Sequence, residues 1–114
     1  MEIGQRYDTN GRQLWLHRSG AGTPSVVFVP GGGLVGLDFL QVQERAAERT
    51  TSVIYDRAGT GWSDAVSLPR SAADVAGELH ALLAAANVPA PYVLVGLHIE
   101  QPDAVVEAIG DVVG

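Results

Sequence analysis

PYVLVGLHIEQP, residues 91–102, is the stretch on which the fold turns. Tyr92, Val93, Leu94 and Val95 form a short apolar run closed by Gly96, the pattern of a strand buried on both faces of a parallel sheet. Pro102 suits the first turn of a helix, where its missing N–H is no loss, and Val105, Val106, Ile109, Val112 and Val113 form an apolar stripe behind it. Only Leu97, His98, Ile99, Glu100 and Gln101 separate the two segments. The stretch has the form of two pieces of a larger fold joined end to end.

The rest of the chain sets the limits. Its 114 residues are enough for one domain with a single core, and a hydrophobic content of 46% argues against disorder. No apolar run is long enough to cross a bilayer, and the opening MEIGQR lacks the pattern of a signal peptide, so the expected compartment is the cytoplasm. Thirteen acidic residues against seven basic ones give a net charge of -6, which repels nucleic acid and anionic lipid. All seven basic residues are arginine. With no lysine there is no P-loop lysine and no Schiff base; with no cysteine there is no thiol nucleophile, disulfide or Cys-ligated zinc. His17, His80 and His98 are too scattered to suggest a metal site, and neither a metal nor a cofactor is expected.

Working back to the start, Asn10-Gly11 between two polar-apolar runs predicts an antiparallel hairpin, because both residues tolerate the positive φ of a tight turn. SVVFV, residues 25–29, is a β-branched run of the buried type. A glycine loop at residues 30–36 leads into a helix in which Phe39, Val42 and Ala46, with Leu40 and Ala47 beside them, face inward and Gln43, Glu44 and Glu48 face solvent. Residues 51–55 form the next strand, and DRAGTGWSD, residues 56–64, a glycine-punctuated loop. Ser71 and Asp74 resemble a capping box ahead of a helix whose stripe is Val75, Leu79, Leu82, Leu83 and Ala86. Gly77 weakens that helix by about 1 kcal/mol relative to alanine, and residues 87–91 end it. The organisation is one domain over residues 1–114, a β-hairpin followed by βαβαβα with mainly parallel strands.

Read from the residues alone, GGGLVG at residues 31–36 satisfies G-x-G-x-x-G between a strand and a helix, and Asp56 closes the next strand at the spacing of a ribose-binding acid. That is a dinucleotide fingerprint, which would bind NAD(P) through the run from Gly31 to Gly36. The bland alternative is a glycine-rich turn followed by an unrelated acid, and the leading hairpin favours it.

The same residues fit another family. SVVFVPGGG resembles the strand and oxyanion loop of α/β-hydrolases of the esterase, haloperoxidase and epoxide-hydrolase type, with Gly31, Gly32 and Gly33 as its remnant and Pro30 where many members have histidine. YDRAGTGWSD, residues 55–64, resembles the loop after that family's fourth strand. The resemblance gives this loop a structural role: Asp56, Arg57, Gly59 and Gly61 fix it near the active-site mouth and Trp62 packs against it. Ser63 sits one residue away from a G-x-S-x-G frame and reads as a turn serine.

The family pattern puts a nucleophile elbow G-x-S-x-G after the strand at residues 92–95. Here the frame holds Gly96, Leu97, His98, Ile99 and Glu100, so His98 occupies the serine position and Glu100 that of the closing glycine. HIEQPDAVVEAIGDVV, residues 98–113, resembles the family's C-terminal segment, in which His98 matches a neighbour of the catalytic base. The resemblance therefore implies a truncated α/β-hydrolase-like sheet, joined to the final helix with the middle absent and with no catalytic residue of the triad present. It implies hydrolase ancestry without competent catalysis. A non-enzymatic interaction module is the other class of reading. Tyr92, Val93, Leu94 and Val95 would then be an apolar sheet edge, open to self-association or to pairing with a full-length relative.

Overall fold

The computed structural model describes residues 3–31, 34–65, 72–97 and 106–112. Strands β1 (Gln5–Thr9) and β2 (Arg12–Ser19) form the expected hairpin. They are joined at Thr9 and Arg12 through Asn10 and Gly11, both at positive φ. β3 (Ser25–Pro30) leads through a 3-10 turn (Gly36–Phe39) into helix α1 (Leu40–Ala47) and then β4 (Ser52–Tyr55). Helix α2 (Ala72–Ala85), β5 (Tyr92–Leu97) and β6 (Val106–Val112) complete the described chain.

Among the described residues the sheet has six strands in the order β1-β2-β4-β3-β5-β6. β3 is parallel to both of its neighbours, β4 and β5, and the remaining pairings are antiparallel. The first crossover, β3-α1-β4, runs toward the hairpin, and the second, β4-α2-β5, runs back past β3. Crossovers of one hand running in opposite directions place their helices on opposite faces. The strands show this in their alternation. Leu14, Leu16, Val27, Val53 and Tyr55 meet Leu79, Leu82 and Leu83 of α2, whereas Trp15, Phe28 and Ile54 meet Phe39 on the α1 side.

α2 carries the expected stripe and ends at a Schellman motif. Asn87 takes φ +55°, its N–H donates to the Ala84 carbonyl and that of Val88 donates to the Leu83 carbonyl. Val88 then packs in the core with Leu83. Ser25 ties β3 to this corner, its N–H donating to the Pro91 carbonyl and its hydroxyl to the Pro89 carbonyl. The expected capping box includes Ser71, which lies outside the described residues.

Three expectations are corrected. Gln43 is fully buried and Val42 is 45% exposed, so the inward face of α1 is rotated from the one read in the sequence. The cause is a polar need at the sheet: the Gln43 amide donates to the carbonyls of His17 and Ser52, on the two strands beneath the helix. Residues 106–112 form a strand, not the final helix that their stripe predicts. β5 is consequently not an edge, because β6 pairs antiparallel along its free side from Tyr92 opposite Val112 to Leu97 opposite Val106. Unpaired backbone groups on β5 favour a strand there over the helix that local periodicity prefers.

Candidate functional site

β3 is succeeded in the chain by β4, which pairs on one side of it, while β5 pairs on its other side, so the carboxyl ends of β3 and β5, around Pro30 and Leu97, mark the topological switch point. In open α/β sheets that crevice is where ligands bind. Gly31 follows β3 there, its carbonyl accepting the Leu34 N–H at 3.1 Å. Gly32, Gly33, His98 and Glu100 lie outside the described residues.

The loop that follows β4 braces this end of the molecule, and Asp56 is its centre. The side chain is 2% exposed. One carboxylate oxygen accepts the Gly36 N–H at 2.7 Å and the other accepts the Trp62 N–H at 2.9 Å. A single acid thus joins the loop after β3 to the loop after β4. Both glycines involved are there because nothing larger fits. A Cβ at Gly36 would stand 2.8 Å from the Tyr55 carbonyl oxygen, and one at Gly61, where φ is +49°, would stand 2.1 Å from the Asp56 carboxylate.

Ser63 is held from both sides by main chain. Its hydroxyl donates to the Asp56 carbonyl at 2.6 Å and accepts the Trp15 N–H at 2.8 Å. Its one proton is committed to a carbonyl, so the hydroxyl has no base to give it to. Gly59, at φ +86°, donates to the Asp64 carbonyl, and the Thr60 and Ser63 N–H groups close short turns on Arg57 and Thr60. The half-buried Arg57 donates to the Pro30 carbonyl at 3.4 Å, which places its cation beside the end of β3.

The loop is anchored to the hairpin by residues that motif reading did not single out. Asp64 exchanges main-chain and side-chain bonds with Gln13 and pairs with Arg6. The Gln13 N–H bond, above all, holds the Asp64 carboxyl below its usual range; desolvation opposes it, and the charge and hydrogen bond of Arg6 add to the lowering. Trp62 is half-exposed and stands edge-on to buried Trp15, with ring centroids 5.1 Å apart, and the Trp15 indole donates to the Ile3 carbonyl. On the α2 side the Ala58 N–H donates to Glu78, which also pairs with Arg12.

Two other features lie away from the crevice. A cavity of about 470 Å³ is lined by Gly4, Gln5 and Tyr7 with the second half of β2, including His17 and Arg18. Burial lowers the His17 pKa, opposed by the charge of Glu44. Among the described residues, no group of three His, Asp or Glu side chains converges as metal ligands do.

No protein-family profile and no curated protein matches the sequence. Solved structures do match. An esterase from Thermogutta terrifontis superposes with a TM-score of 0.72 at 21% identity, over 84% of this chain and 36% of its own. An epoxide hydrolase mutant from Vigna radiata gives 0.67 at 23% identity, over 82% of this chain and 30% of its own. An α/β-hydrolase from Sphaerobacter thermophilus gives 0.65 at 30% identity, over 77% of this chain and 34% of its own. The chain spans about a third of the length of these structures. Doubly wound around β3, with the glycine loop and the Asp56 brace at the carboxyl end of its sheet, the chain is a partial α/β-hydrolase fold.

Proposed function

We propose that this chain descends from an ester or small-molecule hydrolase and has no competent hydrolase chemistry of its own. The observation that carries this reading is the sequence leaving β5. Acyl transfer requires a nucleophile, a base within hydrogen-bond reach and a group that orients the base. The serine position after β5 holds His98, and Glu100 replaces the small residue that an elbow turn needs. The sequence Gly31-Gly32-Gly33 resembles an oxyanion loop, but donors for a developing negative charge accomplish nothing without an attacking group. Ser63, in the loop after β4, supports the reading because its proton already serves the Asp56 carbonyl.

The test is to incubate the purified chain with a fluorophosphonate probe, weigh it intact, and follow turnover of a short-chain nitrophenyl ester and of styrene oxide. Unmodified mass and hydrolysis at the uncatalysed rate are expected. A single adduct, mapped to Ser63 and accompanied by turnover that Ser63→Ala abolishes, would overturn the proposal.

The reading as an interaction module loses its open sheet edge, because β6 pairs along β5. The dinucleotide reading has less support, since both Asp56 oxygens that would face a ribose accept main-chain N–H groups.

A further inference from the structure

The chain has two asparagines, Asn10 and Asn87, and both take positive φ. Their surroundings differ in what governs the reactivity of an asparagine amide. After Asn87 comes Val88, which is buried, branched at Cβ, and donates its N–H to the Leu83 carbonyl at 3.0 Å. That nitrogen is shielded and committed. After Asn10 comes Gly11. Both are exposed, and a Cβ built on Gly11 would meet nothing within 4 Å, so neither a side chain of its own nor a neighbouring element crowds residue 11. The Gly11 N–H donates at 3.2 Å to the exposed Asp8 carboxylate, a bond that water replaces at little cost.

We propose that Asn10-Gly11 is a self-modifying site, at which the asparagine deamidates through a succinimide and leaves isoaspartate in the hairpin turn. Hydroxide takes the Gly11 N–H proton, and the nitrogen attacks the side-chain carbonyl carbon of Asn10. A new C–N bond forms, the bond from that carbon to the amide nitrogen breaks, and ammonia leaves with a proton taken from water, which restores the hydroxide. Water then opens the cyclic imide at either carbonyl, giving aspartate or isoaspartate. No reagent other than water is consumed, and no residue of the crevice at the end of β3 takes part. Isoaspartate routes the main chain through the side-chain methylene of residue 10, whereas a two-residue type I′ turn sets the register of its hairpin by its length. The pair that closes this turn, Thr9 opposite Arg12, is also joined by the Thr9 hydroxyl, which donates to the Arg12 carbonyl. Next along β2 stand Gln13 and Trp15, whose main-chain N–H groups donate to Asp64 and Ser63. A displaced register therefore reaches the residues that anchor the loop after β4.

The test incubates the folded full chain in mildly alkaline buffer and follows ammonia release, with peptide mapping by mass spectrometry. Isoaspartate is read by transfer of a labelled methyl group from S-adenosylmethionine, using a purified isoaspartyl carboxyl methyltransferase. Both signals should accumulate at residue 10 with Asn87 unchanged, at a rate that rises in proportion to hydroxide. Asn10→Gly, which keeps residues suited to a type I′ turn, should lose both. Conversion of Asn10 no faster than that of Asn87 overturns the proposal. So does conversion seen only in denaturant, which would mean that the folded turn holds the Gly11 nitrogen away from the amide. The product, separated from unreacted chain by its added negative charge, is mainly isoaspartate and should melt at a lower temperature than an Asn10→Asp chain, which has that charge without the added methylene. Equal midpoints would contradict transmission of the change into the hairpin.

Discussion

Asp56 accomplishes with one side chain what two loops need, because each of its oxygens accepts a main-chain N–H that would otherwise be buried without a partner. Asp56→Asn replaces one acceptor with a donor pointed at a donor. It should cost about 1–3 kcal/mol of stability, read as a lower thermal midpoint. Ser63→Ala leaves the Trp15 N–H without its acceptor, and should lower the midpoint through a loss of about 1 kcal/mol while changing no catalytic rate. A nucleophile would show the reverse pattern. Tyr55 is the opposite case, a buried hydroxyl with no hydrogen-bond partner, whose proton burial holds on above its ordinary range. Tyr55→Phe removes a desolvated polar group, so its midpoint should equal or exceed that of the parent chain.

At the scale of elements, α2 contains an avoidable weakness. Gly77 is exposed, and a Cβ built there meets nothing within 4 Å. Gly77→Ala should therefore stabilise the chain by about 1 kcal/mol, measured by denaturant unfolding with an unchanged slope. α2 was legible in the sequence because its stripe and its pairing with the sheet agree. The hairpin was legible because Asn10-Gly11 dictates a turn type, and the Asp56 loop because its glycines stand where no side chain fits. α1 was legible as a helix but not in its facing, since a buried glutamine serves carbonyls on β2 and β4 that no local pattern reveals. β6 was not legible at all. Its valines repeat at a helical period, and the demand that turns them into a strand lies on β5 and not within residues 106–112. Of the candidate site, the braced loop was readable by motif, whereas its anchors Gly36, Trp15 and Asp64 emerge only when the hairpin folds against it.

The whole molecule should lose stability toward acid for two reasons of the same sign. His17 has a folded pKa lowered from 6.5, so the unfolded chain binds its proton more readily, and the contribution present above pH 6.5 declines as the pH falls through that value. Asp64 has a folded pKa lowered from 3.8, and its contribution disappears as the pH falls through and below that range. The thermal midpoint should be flat between pH 7 and pH 8 by this reasoning, and fall in a first step near pH 6.5 that His17→Gln removes. A midpoint that rises on acidification through pH 6.5 would contradict the sign.

The larger picture is a hydrolase-type sheet in which β6 pairs antiparallel along the side of β5 away from β3. Native-state amide hydrogen exchange on β5 tests this most directly. Alternate amides of the strand face β3 and β6, so both sets should exchange slowly, as those of β3 do. Slow exchange confined to the β3-facing amides, with the others exchanging as in an unfolded peptide, would mean that β6 does not close the sheet.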